Sequence, residues 1–380
     1  MKKRILILGA TGSIGRNTLD VVRSHPEDFS VVGMTAQRNT DALIALGAEF
    51  PDAALASNGS AKLEGLSYAG PTAILDLIGA VESDIVVNGI AGAAGLLPSL
   101  AALQAGADLA LANKETVVMA WPLVSRLAAE RNARVLPVDS EHSAVFHLIG
   151  AHGKANLDEI VLTASGGPFR GWTRERLEEV TVADALAHPT WSMGGKITVD
   201  SATLANKGLE VIEAVRLFDV PAENVVVVVH PQSKIHSLIR LADGSLYAQI
   251  SQPDMRVPIH NALFWPECRE TPFGRLELAG LSLTFEEPDG TAFPMLPLAY
   301  EAARRAGLYP TAYNAADEVA VDAFFKRGLR FVDIPAVVAD TLRQDWTGGD
   351  ESIDSILDSD RRAREAAERF VRARLEDPCC

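Results

Sequence analysis

The apolar positions of the first 140 residues fall into short unbroken runs, separated by longer stretches in which they recur at helical spacing. Arg4-Ile-Leu-Ile-Leu-Gly9 opens the series, and a run that is apolar at nearly every position suits a parallel strand covered on both faces. It stops at Gly9-Ala-Thr-Gly12-Ser-Ile-Gly15, after which Leu19 and Val22 mark one face of a helix over 17–23. Strand-like runs follow at 29–35, 53–55, 84–87, 108–111 and 134–137, alternating with Ala- and Leu-rich helical stretches. This alternation predicts an α/β fold whose N-terminal part, residues 1–138, is a doubly wound, Rossmann-like domain.

Beyond residue 138 the pattern changes. Runs at 159–162, 224–230, 237–241 and 246–251 have strand character, and Asp243-Gly244 supplies a hairpin turn between the last two. We expect a central α+β catalytic domain over 139–264, then a linker over 265–290 that is rich in Pro, Gly and charge. After Pro294 apolar spacing is helical, clearest at 315–326 and 361–375, which predicts a C-terminal helical bundle over 291–380. No internal repeat or low-complexity segment interrupts the chain.

Composition narrows the class. The 380 residues are 48% hydrophobic and 22% charged, ordinary for a globular protein with a substantial core. No apolar run is long enough to span a bilayer, and Met1-Lys-Lys-Arg4 leads straight into a strand too short for a signal-peptide core, so a cytoplasmic protein without a membrane partner is expected. A net charge of −15 argues against a general nucleic-acid partner while leaving room for a local phosphate pocket. Cys268, Cys379 and Cys380 form no metal or disulfide framework, and a thiol nucleophile would have to be Cys268, in a Pro-Glu-Cys-Arg loop with no histidine nearby.

Two polar segments carry candidate chemistry. In Val138-Asp-Ser-Glu-His-Ser143, an extended backbone would place Asp139 and Glu141 on one face with Ser140 on the other. In Asn206-Lys-Gly-Leu-Glu210, helical spacing sets Asn206 and Glu210 one turn apart with Lys207 beside them. Oxygen-only ligation favours Mg²⁺ or Mn²⁺ over Zn²⁺. Taken singly, each of these carboxylates is better read as a solvated or helix-capping group, and only the three together point to a cation. Gly9, Gly12 and Gly15 form G-x-x-G-x-x-G, a relative of the dinucleotide fingerprint placed correctly between a strand and a helix. The second strand ends in Ala36-Gln37-Arg38-Asn39, so a cation stands where NAD-specific sites carry an acid, which suits the 2′-phosphate of NADPH unless Arg38 is an ordinary loop arginine.

These segments, with Ala112-Asn-Lys-Glu115, Ala164-Ser-Gly-Gly-Pro-Phe-Arg170, His188-Pro-Thr-Trp-Ser-Met193, Asp200-Ser-Ala-Thr203, His230-Pro-Gln-Ser233 and Ile235-His-Ser237, closely resemble the 1-deoxy-D-xylulose 5-phosphate reductoisomerase family, in order from residue 5 to about residue 320. The resemblance implies a cytoplasmic, homodimeric, NADPH- and divalent-metal-dependent oxidoreductase. Its product would be 2-C-methyl-D-erythritol 4-phosphate, in non-mevalonate isoprenoid synthesis.

By the same resemblance Asp139, Glu141 and Glu210 match metal ligands, and Lys207 and Lys114 belong to the catalytic set. Ser140 and Lys207 match groups on the substrate's backbone oxygens, and Ser165, Ser201, Asn206 and Lys207 match the phosphate pocket. His188 matches a substrate contact, and Trp191 and Met193 match a flap that closes over the substrate. Thr11, Gly12, Ser13, Ile14, Arg38, Asn39, Asn113, Lys114, Glu115 and Met255 match nucleotide contacts. Gln37 departs from the small residue, usually glycine, expected before the cation. Duller roles stay open: Ser201 as the cap of the helix bearing Glu210, Trp191 as core, and His230 and His236 as strand-end supports. A different nucleotide-dependent dehydrogenase, with a thiol nucleophile or without a metal requirement, and a non-catalytic NADP-sensing module are the competing readings.

Overall fold

The protein is described by a computed structural model over residues 1–59, 64–187 and 194–376, and it forms two compact units. The first comprises Met1–Thr116, Val124–Ser143 and Asp254–Arg275. Its sheet contains β1 (Lys3–Leu8), β2 (Phe29–Thr35), β3 (Ala54–Ser57), β4 (Tyr68–Ala69), β5 (Ile85–Asn88), β6 (Asp108–Leu111) and β7 (Val135–Pro137). The order is β4-β3-β2-β1-β5-β6-β7, and every neighbouring pair is parallel, which is the doubly wound sheet expected. Ile5, Leu6, Ile7 and Leu8 are wholly buried, so the unbroken apolar run does report a central strand. Only the two-residue edge strand β4 gave no pattern to read.

Helices α1 (Ser13–Ser24), α2 (Thr40–Glu49), α3 (Ala73–Ala80), α4 (Leu96–Gln104), α5 (Lys114–Arg131) and α6 (Ser140–His152) follow the strands. Helix α5 is bent at Ala120 (φ −140°), two residues before Pro122, whose ring and missing N–H break the helical ladder. The order of strands reverses between β1 and β5, and at such a point the loops leaving the carboxyl ends diverge into a crevice. Within this unit α11 (Arg256–Phe264) packs on α1 and against β6 and β7. Phe264 meets His25, Phe29 and His260 there at ring separations of 5.0, 4.8 and 4.7 Å. The boundary expected at residue 264 therefore falls inside a segment, Asp254–Arg275, that folds with the first unit.

The second unit comprises Val117–Leu123, Ala144–Pro253 and Leu276–Cys380. Its sheet holds β8 (Leu157–Ala164), β9 (Val225–Val229), β10 (Ile235–Leu241) and β11 (Leu246–Ile250) in the order β11-β10-β8-β9. β8 runs parallel to β9 and antiparallel to β10, and β10 pairs antiparallel with β11. The Asp243-Gly244 turn is present: Gly244 has φ +86°, and its N–H donates to Leu241 O at 2.8 Å. Two short helices, α7 (Arg174–Leu177) and α8 (Val182–Ala185), precede α9 (Gly195–Thr203) and α10 (Ala205–Phe218), which meet at Leu204 in the left-handed conformation (φ 62°). The C-terminal helices are α12 (Met295–Arg305), α13 (Tyr309–Lys326), α14 (Ile334–Leu342) and α15 (Ile353–Glu376). Residues 265–290 hold no helix or strand, apart from a single bridge from Glu286 to Val229.

Candidate functional site

In the first unit the glycine turn is fixed by close approach. A Cβ on Gly15 would lie 2.4 Å from Ala10 Cα and Gly9 O, so α1 can begin this near the β1 loop only with glycine there. Gly12 stands at the N-cap with no side-chain cap, which leaves the first amides of α1 open to an anion. Gly12 and Ser13 are exposed, Thr11 and Ile14 half-buried, and Arg38 and Asn39 exposed at the end of β2. Asn39 also caps α2, its Oδ1 accepting from Ala42 N at 3.2 Å. Met255 is half-buried just ahead of α11. All ten expected nucleotide residues thus belong to the first unit, including Met255, which lies beyond the second unit's sheet in sequence.

Asn113 and Glu115 have a scaffold role that the motif did not reveal. Asn113 is 2% exposed and caps α5: its Oδ1 accepts from Thr116 N (2.9 Å) and Thr116 Oγ1 (2.6 Å). Its Nδ2 donates to Ile90 O (2.7 Å), Gly92 O (2.9 Å) and Glu115 Oε2 (2.8 Å), and Glu115 Oε1 accepts from Gly92 N (3.0 Å). Asn88, at the end of β5, adds bonds to Gly95 O (2.9 Å) and Ser99 Oγ (2.7 Å). These side chains set the loop after β5, at the point where the strand order reverses. Sequence reasoning missed Asn88, although a buried amide ending a predicted strand beside Gly89 was a signal for it.

The acidic pair differs from expectation. Residues 139–141 are not extended: Ser140 opens α6, and Asp139 caps it, Oδ1 accepting from Glu141 N (3.2 Å) and His142 N (3.3 Å). Side-chain alternation does not apply, and Ser140 Oγ donates to Glu141 Oε2 at 2.6 Å instead of facing away. The cause is legible afterwards, since Asp followed by Ser-Glu is itself a helix-start signal, with an acid in the first turn. Asp139 Oδ2 is held by Lys114 Nζ, and Oδ1 accepts from His142 Nδ1 at 3.0 Å. Burial alone would raise this carboxyl, but the Lys114 ammonium and the His142 imidazole outweigh it and hold it well below the usual carboxylate range. His142, wholly buried, was not anticipated, although its i+3 spacing from a capping acid points to it.

In the second unit the helical spacing holds. Asn206 Nδ2 donates to Glu210 Oε1 at 2.7 Å, and Lys207 Nζ bonds Glu210 Oε2. Lys207 and Glu210 are 4% and 1% exposed, whereas Asn206 Oδ1 is buried and accepts no hydrogen bond among the described residues. Ser201 lies within α9, and Leu204 precedes α10 without a side-chain cap, so Ser201 does not cap the helix of Glu210. The loop after β8 reaches α9 here: Gly167 (φ +65°) comes so near that a Cβ would sit 2.8 Å from Ser201 O, and its N–H donates to Ser165 Oγ at 3.3 Å. Ser165 and Ser201 are thereby placed on adjoining segments. His230 is structural, Nδ1 donating to Thr284 O at 2.9 Å and Nε2 accepting from Lys234 N at 3.2 Å. His188, Trp191, Met193, Cys379 and Cys380 lie outside the described residues.

Comparison with known proteins agrees along the chain. Family models match 5–121 (1-deoxy-D-xylulose 5-phosphate reductoisomerase), 135–218 (the C-terminal domain of the same enzyme) and 250–366 (DXP reductoisomerase C-terminal domain). A relative from Chlorobium chlorochromatii named 1-deoxy-D-xylulose 5-phosphate reductoisomerase is 48% identical, over 97% of this chain and 100% of its own. A solved structure of the reductoisomerase from Zymomonas mobilis in complex with NADPH is 38% identical, with TM-score 0.89 over 98% of this chain and 99% of that one. Another, of a reductoisomerase with NADPH, fosmidomycin and magnesium, is 36% identical with TM-score 0.89, over 97% and 98%.

Proposed function

The chain belongs to the 1-deoxy-D-xylulose 5-phosphate reductoisomerase family, and on that premise we propose that Asp139, Glu141 and Glu210 hold its divalent cation and that Lys114 and Lys207 serve the reacting end of the substrate. It is an NADPH-dependent oxidoreductase of isoprenoid synthesis that rearranges and reduces 1-deoxy-D-xylulose 5-phosphate to 2-C-methyl-D-erythritol 4-phosphate. The observation that carries the site assignment is that Asp139 and Glu210 are each hydrogen-bonded to a lysine, Asp139 being held ionised. Carboxylates paired with an ammonium in sheltered positions are fit to exchange it for a hard cation, and the donor set is all oxygen. Mg²⁺ suits it, and Mn²⁺ is proposed as an equal occupant.

When bound, the cation supplies a Lewis acid for the substrate's carbonyl and adjacent hydroxyl oxygens, and the nicotinamide supplies the hydride. The chain's own groups bind and orient. Released from their carboxylates, Lys207 and Lys114 become donors toward oxygens that gain charge as the carbon skeleton rearranges. Ser140 donates to the substrate's backbone oxygens, and Ser165, Ser201, Asn206 and Lys207 hold the phosphate, so that remote binding orients the reacting carbons. Asn206 would donate through Nδ2, which in this structure is held by Glu210 Oε1. His188, Trp191 and Met193 complete the substrate contacts and the closing flap in this proposal. Thr11, Gly12, Ser13 and Ile14 take the pyrophosphate, and Arg38 with Asn39 takes the 2′-phosphate despite Gln37. Asn113 and Glu115 contribute by shaping the loop after β5.

A cytoplasmic homodimer completes the reading. No helix among the described residues is long and apolar enough to cross a membrane. Strand β11 is the edge of its sheet and presents Leu246, Tyr247 and Ile250 to solvent, a surface that natural edge strands avoid unless it is covered. The purified chain is expected to consume NADPH only when the ketose phosphate and Mg²⁺ or Mn²⁺ are both present, followed at the nicotinamide absorbance. Full rate in excess chelator would overturn the metal assignment.

A further inference from the structure

Helix α9 starts immediately after Gly194 and carries Ser201, a residue of the proposed phosphate site, near its end. Lys196, in its first turn, donates to Asp200 Oδ2 at 2.6 Å on its own helix and to Asp317 Oδ2 at 2.7 Å on α13. Asp200 alone would neutralise Lys196 through ordinary i,i+4 pairing. The second carboxylate on Lys196 belongs to Asp317, which is fully buried and whose Oδ1 accepts no hydrogen bond among the described residues. An apolar side chain of similar volume would generally stabilise such a position as well or better, so stability alone gives no reason for Asp317.

Helix α13 supports α10 as well. One turn before Asp317, Tyr313 donates its hydroxyl to Met295 O at 3.1 Å, and it abuts Gly208, where an added Cβ would lie 2.8 Å from the Tyr313 oxygen and 2.6 Å from Ala299 Cβ. Glycine inside a helix is less favourable than alanine, and here it allows close packing beside Lys207. Burial and the nearby charges of Asp317 and Asp200 push the Tyr313 phenol well above its usual range. One helix of the C-terminal bundle therefore touches α9 through a charge and α10 through a ring.

We propose that Asp317 is a positioning residue for the phosphate end of the substrate site, acting through Lys196 to fix the first turn of α9. This rests on the assignment of Ser201 to substrate binding. In Asp317→Asn the amide keeps the shape but removes the charge. The KM for 1-deoxy-D-xylulose 5-phosphate is expected to rise about tenfold with kcat within about twofold. The KM for NADPH stays unchanged, and the Ki of inorganic phosphate as a competitive inhibitor rises in parallel. Hydrogen exchange should quicken over 195–203 and stay slow over 205–218. Lys196→Gln breaks the same bond at a partly exposed side chain and should give the same pattern if the first variant folds poorly.

Unchanged exchange over 195–203 in folded variants would overturn the proposal, as would a loss shared equally by kcat, both KM values and thermal stability. Altered exchange with unchanged substrate KM and phosphate Ki would overturn the link to phosphate binding. Failure of the unaltered chain to consume NADPH with substrate and metal would instead overturn the functional reading, and the exchange experiment would still decide whether Asp317 fixes α9.

Discussion

The rim of the parallel sheet in the first unit and the α9–α10 region of the second, both proposed to bind charged ligands, are built by different means. At the rim, the loops after β1 and β5 are set by glycine contacts and by the neutral amides of Asn88 and Asn113, joined by Glu115. In α9 and α10 the candidate residues are charged and already paired with one another: Lys207 with Glu210, and Lys196 with Asp200 and Asp317. The first arrangement is shaped before a ligand arrives and need not rearrange. The second pairs carboxylates with lysines in sheltered positions, so in the proposed function a ligand or cation displaces an existing partner. Asp139 belongs with the second kind although it lies in the first unit, since Lys114 occupies its Oδ2.

This contrast can be broken at either region. The largest effect is expected from Asp139→Asn and Glu210→Gln, each lowering turnover by about 10³-fold or more through loss of the cation. Glu210→Gln should leave NADPH affinity unchanged in a fluorescence titration, and a matching loss of nucleotide binding would erase the distinction. Next comes Asn113→Ala, which leaves buried loop groups unsatisfied and removes a helix cap, for about 2–4 kcal/mol of stability. Denaturant titration measures that loss, and steady-state kinetics should show a raised KM for NADPH with the substrate KM little changed. The smallest effect is expected at the exposed Arg38. Its replacement by Ala should lower the NADPH-to-NADH preference by roughly tenfold, the worth of one charge-assisted contact, with the fold intact.

Legibility followed sequence distance. The strands of the first unit were readable because a parallel strand buried on both faces is a short apolar run, and β1 has four consecutive residues without exposure. The relation of Asn206, Lys207 and Glu210 was readable because it is set within one helical turn. Asp139 and Glu141 were recognised as chemistry but given the wrong local geometry, because Asp-Ser-Glu satisfies both strand alternation and a helix start, and the capping bonds to α6 favoured the latter. Nothing local shows that Lys114 reaches Asp139, that Met255 and α11 return to the first unit, or that Asp317 meets Lys196. The resemblance to a family named the residues but not these partners.

By itself the sequence determined the parallel sheet, the glycine turn, the helical face shared by Asn206 and Glu210, and the residue types able to bind a hard cation and a phosphate. Each depends on periods of two or 3.6 residues or on side-chain chemistry, both of which are local properties. The tertiary structure decided which charges are paired and which amides are spent on scaffold. It also decided that a helix of the C-terminal bundle supports the helices proposed to hold the substrate. Those outcomes depend on burial and on contacts between segments far apart in the chain. Only there does the cost of an unpaired buried charge select one partner among many.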